Sequence, residues 1–282
     1  MPTVHKITCR TNEQWRHERA KSVGASGVGT IIGINPYESA SELAATMRAE
    51  LNGIFDYSET TAMLRGHFYE GGVAQFFSLR TGHQIIQSSA AEVIYRRDDL
   101  PFLHASTDRT YWIDNDGPKH GDIAETNKGV VECKTTQKAV KDDNRFLCWL
   151  LQLQTQMGVT GYHHGHLAWD VLSKAEGVGH KFVSYNEKVF NAIVDVTRDF
   201  WHRSVIGGEA PRISRDIYKR YPFLFSHDNW FDGAVAPAVK PKRKSLFVVA
   251  QELEDEECDD ITIGCSTDNL TLLKNLLKRL RK

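Results

Sequence analysis

Two ionisable residues stand two positions apart in an apolar run, Val130-Val131-Glu132-Cys133-Lys134. Side chains alternate across a β-strand, so Glu132 and Lys134 project from one face. Gly129-Val130-Val131 reads as a buried strand. Such a strand does not carry an acid and an amine unless they are paired or bind something. A carboxylate, a lysine two residues on, and a second carboxylate, Asp108, on a neighbouring strand suit metal-assisted phosphodiester hydrolysis. Asp and Glu offer hard oxygen ligands to Mg²⁺. The lysine orients attacking water and offsets negative charge in the transition state. The plain alternative is an exposed strand with Glu132 and Lys134 in solvent, since Glu-x-Lys is a short pattern and 25% of the chain is charged.

The elements around this strand follow from periodicity and punctuation. Trp15 to Lys21 has helical character, and Gly24-Ala25-Ser26-Gly27 leads into a short helix at Thr30-Ile31-Ile32 that Ser26 could cap. Ser39 and Glu42 have capping-box spacing and open a helix ending near Gly53. A second helix spans Met63 to Leu79 with Val73, Phe76 and Phe77 on its apolar stripe. Glu70 shares that stripe by spacing, or else lies at its edge and reaches solvent. Strands are expected at Ile85–Ile86, Val93–Tyr95, Leu103–Ala105, Thr110–Ile113, Val130–Lys134, His166–Trp169 and Phe182–Tyr185, with a turn at Asn115-Asp116-Gly117-Pro118. Helices are expected from Asn144 to Val159 and from Glu187 to Ile206. The first places Gln152 and Gln156 on one face. The order gives an α/β protein: a mixed, mostly antiparallel β-sheet flanked by helices.

Composition narrows the class. The 282 residues suffice for one large domain with an appendage, and 41% are hydrophobic, as in ordinary globular proteins. A net charge of −1 leaves nucleic-acid binding to a local groove. The five cysteines are scattered without a Cys-x-x-Cys, which argues against a disulfide framework, a zinc ribbon or an iron–sulfur cluster and fits a reducing cytoplasm. No apolar stretch has membrane-span length, and Met1 to His5 lacks a signal peptide's apolar core. The expected organisation is a nuclease domain over 1–231, a charged linker over 232–260 and a basic amphipathic helix over 261–282. Leu270, Leu273, Leu277 and Leu280 recur in that last helix at helical spacing.

Five local patterns then occur in one order. They are Trp15-x-x-x-Arg19 with Gly24-Ala25-Ser26; Arg65-Gly66-x-x-x-Glu70; Ala105-Ser106-Thr107-Asp108; Glu132-Cys133-Lys134; and Gln152-Leu153-Gln154-Thr155-Gln156-Met157-Gly158-Val159-Thr160. Together they resemble the lambda-exonuclease-like (YqaJ-type) viral recombinases, a branch of the PD-(D/E)xK nucleases, over roughly Trp15 to Trp201. The resemblance implies a restriction-endonuclease-like core and a Mg²⁺-dependent exonuclease, with one or two ions and Mn²⁺ able to substitute. The implied metal ligands are Asp108, Glu132, the backbone carbonyl of Cys133, and Glu70 directly or through water. Lys134 acts on the water, while Arg19, Ser26, Ser106 and Gln152 hold the 5′-phosphate of a DNA end. It also implies 5′-to-3′ action on duplex ends, a homotrimeric ring, a single-strand annealing protein as partner, and the bacterial cytoplasm as the place of work. Thr107 departs from the family's proline, Arg109 from its common glycine, and 115–128 resembles an insertion.

Two readings compete. A structure-specific or restriction-type endonuclease would use the same metal site, and a non-catalytic DNA-binding module would recruit a recombinase through the tail. His163, His164 and His166 could be metal ligands, or ordinary histidines at the start of a strand.

Overall fold

A computed structural model of the chain describes residues 2–55, 60–86, 92–113, 127–141, 143–173, 178–227 and 230. The turn at Asn115–Pro118, the linker and the amphipathic helix lie outside the described residues.

Strands β1 (Val4–Cys9), β4 (Glu92–Arg97), β5 (Leu103–Ala105) and β2 (Val23–Gly24) form one sheet in the order β1-β4-β5-β2. Strands β3 (Ile85–Ile86), β6 (Arg109–Trp112), β7 (Lys128–Thr136), β8 (His164–Val171) and β9 (Gly179–Ser184) form a second, in the order β3-β6-β7-β8-β9. The α/β class and mostly antiparallel pairing are as expected, but the strands are divided between two mixed sheets. β1 gave no signal, because five of its six residues stay at least partly exposed and carry no clear alternation. Its partnership with β4, from Val4 opposite Arg97 to Cys9 opposite Glu92, is a long-range choice.

Helix ends follow local chemistry. Ser39 and Glu42 form the expected capping box on α3 (Ala40–Leu51). Thr60 caps α4 (Thr61–Thr81) through the Met63 amide, and Asp143 caps α5 (Asn144–Thr160) through the Phe146 amide. Gly82 and Gly161 end these two helices in the left-handed region, at φ 77° and 78°. Ser26 does not cap a helix. It lies inside a 3₁₀ turn, Ala25–Gly27, and neither that turn nor α2 (Val28–Ile31) has a side-chain cap.

The five-stranded sheet has a helix against each face. Val130 of β7, Leu167 of β8 and Val183 of β9 pack with Leu150, Leu153 and Met157 of α5. Val131, Cys133 and Ala168, on the opposite face by alternation, pack with Val73, Ala74 and Phe77 of α4. Phe76 is outside that stripe and 53% exposed: the inward helix face passes through positions 70, 73, 74 and 77, and Phe76 falls off it. β7 and β8 are parallel, so α5 is the crossover between them. Helix α1 (Asn12–Ala20) leads into β2, and α6 (Glu187–Asp199) runs on into a π-helical stretch, Phe200–Ile206. Helix α7 (Ser214–Arg220) follows.

Candidate active site

β7 is the middle strand of its sheet, with Glu132 and Lys134 on the face toward α5. Glu132 is only 1% exposed. Lys134 Nζ lies 2.5 Å from Glu132 Oε1 and donates to Gln152 Oε1 at 3.0 Å. The other oxygen of Glu132 accepts from Gln156 Nε2 at 2.6 Å, and the same amide donates to the Ser106 carbonyl at 2.8 Å. The solvent-facing alternative for this pair is therefore set aside: the acid is buried and the amine is drawn to it.

β6 begins at Arg109, opposite Val131, so beyond that point β7 has no ladder partner on that edge. Asp108, just before β6, takes up the exposed amide: the Cys133 N–H donates to Asp108 Oδ2 at 2.7 Å. The N–H and C=O of a strand residue face the same edge, so the Cys133 carbonyl lies along the edge that Asp108 covers. The thiol of Cys133 points the other way, into the α4 packing. Burial, then the charge of Asp108, Glu132 and Glu70, pushes it far above the ordinary thiol range, so no thiolate forms. From α4, Glu70 accepts from Arg109 Nη1 at 2.6 Å, and the same nitrogen reaches the Asp108 carbonyl at 2.5 Å.

Three carboxylates thus surround the middle of β7, where its pairing with β6 stops. Burial raises the pKa of Asp108 well above the ordinary carboxylate range, and Glu132 and Glu70 add to it; Lys134 and the Cys133 amide only partly oppose this. Burial likewise raises Glu70, against the pull of Arg109 and with a push from Glu132. Burial works against the ammonium of Lys134, but Glu132 and Asp108 together outweigh it and leave its pKa above the usual value. Lys134 is therefore held as a hydrogen-bond donor to Glu132 and Gln152. Among the described residues no three His, Cys, Asp or Glu side chains form a ready-made metal cage. The donor set fits a hard divalent cation nonetheless. It is all oxygen, and a cation there would offset both the burial and the neighbouring carboxylates that raise Asp108.

The residues expected at a phosphate come from four separate segments of the chain. Arg19 stacks on Trp15, its guanidinium 4.4 Å from the ring centre. Ser26 is exposed at the end of β2, and the Ser106 hydroxyl is buried with no hydrogen-bond partner. Gln152 lies beside Lys134. Two residues at the site were not assigned a role from the sequence: Gln156, which shares a face with Gln152 and lies in the same motif, and Arg109, which carried no signal beyond its position after Asp108. Gln154, between them, binds the Ser184 carbonyl and the Asn186 amide and ties α5 to β9 and α6.

The three histidines do not converge. His163 stacks on Tyr185 with ring centres 4.8 Å apart. His166 is buried behind the sheet beside Phe77, Tyr111 and His83, with no hydrogen-bond partner on either ring nitrogen.

Two sheets, an active-strand edge flanked by acids, and a glutamine-bearing crossover helix define a lambda-exonuclease-like nuclease fold. The chain belongs to the family of the YqaJ-like viral recombinase domain, whose model matches residues 14–163. A curated relative, the uncharacterized protein YqaJ of Bacillus subtilis (strain 168), is 25% identical over 207 residues. That match takes in 72% of this chain and 59% of the relative. Two crystal structures of the alkaline exonuclease LHK-Exo, from Laribacter hongkongensis, share the fold. The one in complex with dAMP has a TM-score of 0.52 at 16% identity, and the other 0.50 at 18%. Each covers 76% of this chain and 100% of the solved one.

Proposed function

We propose that this chain is a metal-dependent exonuclease that hydrolyses duplex DNA from 5′-phosphorylated ends, in the 5′-to-3′ direction. The observation that carries the reading is the buried Glu132, held between Lys134 and Gln156, with Asp108 and Glu70 beside it. Such a concentration of carboxylate in a buried site costs stability and suits a cation-binding function. Mg²⁺, as one or two ions with Mn²⁺ able to substitute, would be held by Asp108, Glu132, the Cys133 carbonyl and, directly or through water, Glu70. Bound there, it would supply Lewis-acid stabilisation of the phosphoryl charge. Lys134 holds the attacking water by hydrogen bond and offsets the charge that develops on the scissile phosphate. Gln152 fixes the Lys134 ammonium, and Gln156 fixes Glu132. Arg19, Ser26, Ser106 and Gln152 bind the terminal phosphate, where a guanidinium and neutral donors satisfy a compact dianion. A site that holds the end sets the register of the cut.

Membership of a viral recombinase family supports work inside the bacterial cell, alongside a single-strand annealing protein, as a homotrimer around the duplex. Among the described residues no helix is long and apolar enough to cross a membrane.

The test uses linear duplex with a 5′-phosphate, the same duplex with a 5′-hydroxyl, and a closed circle, each with Mg²⁺ and either the native protein or Lys134→Ala. The expected outcome is fastest loss of the phosphorylated linear duplex, an intact circle, and at least a hundredfold loss in Lys134→Ala, on the order of one positioned donor. Lys134→Gln, which keeps a donor at the position, guards against misfolding of the alanine variant. A cut circle would turn the conclusion to an endonuclease; binding without cleavage would turn it to a recruitment module.

A further inference from the structure

Arg109 is a cation set among the acids beside β7, and the chemistry assigned to Lys134 gives it no part. It is the first residue of β6 and lies opposite Val131. Paired residues of neighbouring strands share a face. Arg109 therefore leaves the sheet on the α4 side with Val131, whereas Glu132 and Lys134 leave it on the α5 side with Val130. Its Nη1 donates to Glu70 Oε1 at 2.6 Å and to the Asp108 carbonyl oxygen at 2.5 Å. The Arg109 and Glu70 side chains are 26% and 23% exposed, so solvent screens this pair less than one on the open surface.

The two glutamates that flank β7 from opposite faces thus each have a cation, Glu132 from Lys134 and Glu70 from Arg109. Asp108, at the strand edge, accepts from a backbone amide instead. The two cations differ in kind. The ammonium of Lys134 is a point charge on a flexible stem and can turn toward water or phosphate. The guanidinium of Arg109 is planar and keeps its proton at every working pH. One of its nitrogens is gripped by two oxygens, a carboxylate and a main-chain carbonyl, which are the ligand types of a hard divalent cation. Nη1 therefore fills, between α4 and β6, the kind of place that the second ion of a two-metal site would take. A fixed positive charge there repels such an ion. It also engages the Glu70 oxygen that the ion would need.

We infer that Arg109 is a built-in cation in place of a second metal ion. The site then holds one divalent ion tightly, on Asp108, Glu132 and the Cys133 carbonyl, and Glu70 takes part only through water. The inference rests on the reading of these residues as the metal site. Arg109 acts through Glu70 and the main chain of Asp108, and so is a positioning residue.

The measurement is a Mn²⁺ titration without DNA, read by electron paramagnetic resonance. It compares the native protein with Arg109→Ala, Arg109→Met, Glu70→Gln, Asp108→Asn and the double variant Arg109→Ala with Glu70→Gln. The expected result is one ion bound to the native protein and to Glu70→Gln, and two bound to Arg109→Ala. The second ion should bind about tenfold tighter than any second ion on the native protein, because a like charge has gone. Ions about 3.5–4 Å apart couple magnetically, so the Arg109→Ala spectrum should change shape as the second ion enters. The double variant should lose that ion and keep the first. Two ions of equal affinity on the native protein would overturn the inference. So would a single ion on Arg109→Ala, or a second ion that survives Glu70→Gln. Weaker binding of the first ion by Arg109→Ala would show that Arg109 merely props Glu70, and would overturn it as well. If the native protein binds no Mn²⁺, or Asp108→Asn binds it equally well, the metal-site reading fails and takes this inference with it. A thermal melt of each variant separates lost binding from lost fold. Arg109→Met, which keeps the aliphatic stem without the charge, keeps the test open if Arg109→Ala does not fold.

Discussion

Glu132 is 1% exposed and has a partner on each carboxylate oxygen, Lys134 on one and Gln156 on the other. A buried carboxylate that loses a hydrogen-bond donor bears the desolvation penalty alone. Gln156→Ala is therefore expected to destabilise the fold by about 1–3 kcal/mol. Gln154→Ala, which removes two bonds to the backbone, is the structural comparison and should leave cleavage per folded molecule unchanged. Urea denaturation reads the first effect, and turnover normalised to folded protein reads the second. A Gln156→Ala protein as stable as native, with full turnover, would mean that the amide is dispensable to Glu132. At this scale the sequence was legible wherever chemistry and spacing coincide. Glu132 and Lys134 share a face because strand side chains alternate, and Gln156 follows Gln152 by one helical turn. Arg109 was not legible, since its bond to Glu70 spans 39 positions.

Helix α5 has the most demanding task among the elements. It is the crossover between β7 and β8, it packs on the sheet through Leu150, Leu153 and Met157, and it carries Gln152 and Gln156 to the active strand. Its approach to α6 is set by Gly158, where a Cβ would meet the Phe190 ring at 2.2 Å. Gly158→Ala should thus force the two helices apart and cost about 1–3 kcal/mol, as overpacking does, although alanine is the better helix former. A melting temperature that rises in Gly158→Ala would show that helix propensity outweighs the clash. The start of α3 was legible because its capping box acts locally, whereas α4, expected over Met63–Leu79, runs two residues further at each end. The outward position of Phe76 was not legible, because apolar character alone does not say which side of a helix meets the sheet. The exposed α4 surface, with Phe68 73% and Leu79 61% exposed, makes the same point.

The molecule as a whole buries histidines as neutral rings. Burial, then the neighbouring imidazoles of His83, His180 and His164, pushes His166 to about 3, and burial with Arg19 and Arg96 does the same for His104. In the unfolded chain a histidine titrates near 6.5. A folded pKa below the unfolded one means that the unfolded chain binds more protons. The contribution to stability is then complete above about pH 6.5 and is lost as pH falls from there toward 3, by about 1.4 kcal/mol per unit for each such ring. The raised carboxyls of Asp108 and Glu70 act in the opposite sense, since they bind protons more readily when folded. The urea midpoint should fall between pH 7 and pH 5, and fall less steeply in His166→Phe, which places a neutral ring among Phe77, Tyr111 and Phe182. Identical pH slopes for the two proteins would exclude His166 as a source of the effect.

The sequence by itself determined what depends on neighbours along the chain: alternation on β7, helical turns on α5, caps on α3, and the order of motifs that marks the family. Only the tertiary structure decided the division into two sheets and the union of Glu70 with Asp108 through Arg109. Each of these brings together segments tens of residues apart. Their pairing energy comes from burial and hydrogen bonds made at a distance in sequence, and neither residue of a pair carries a local sign of its partner.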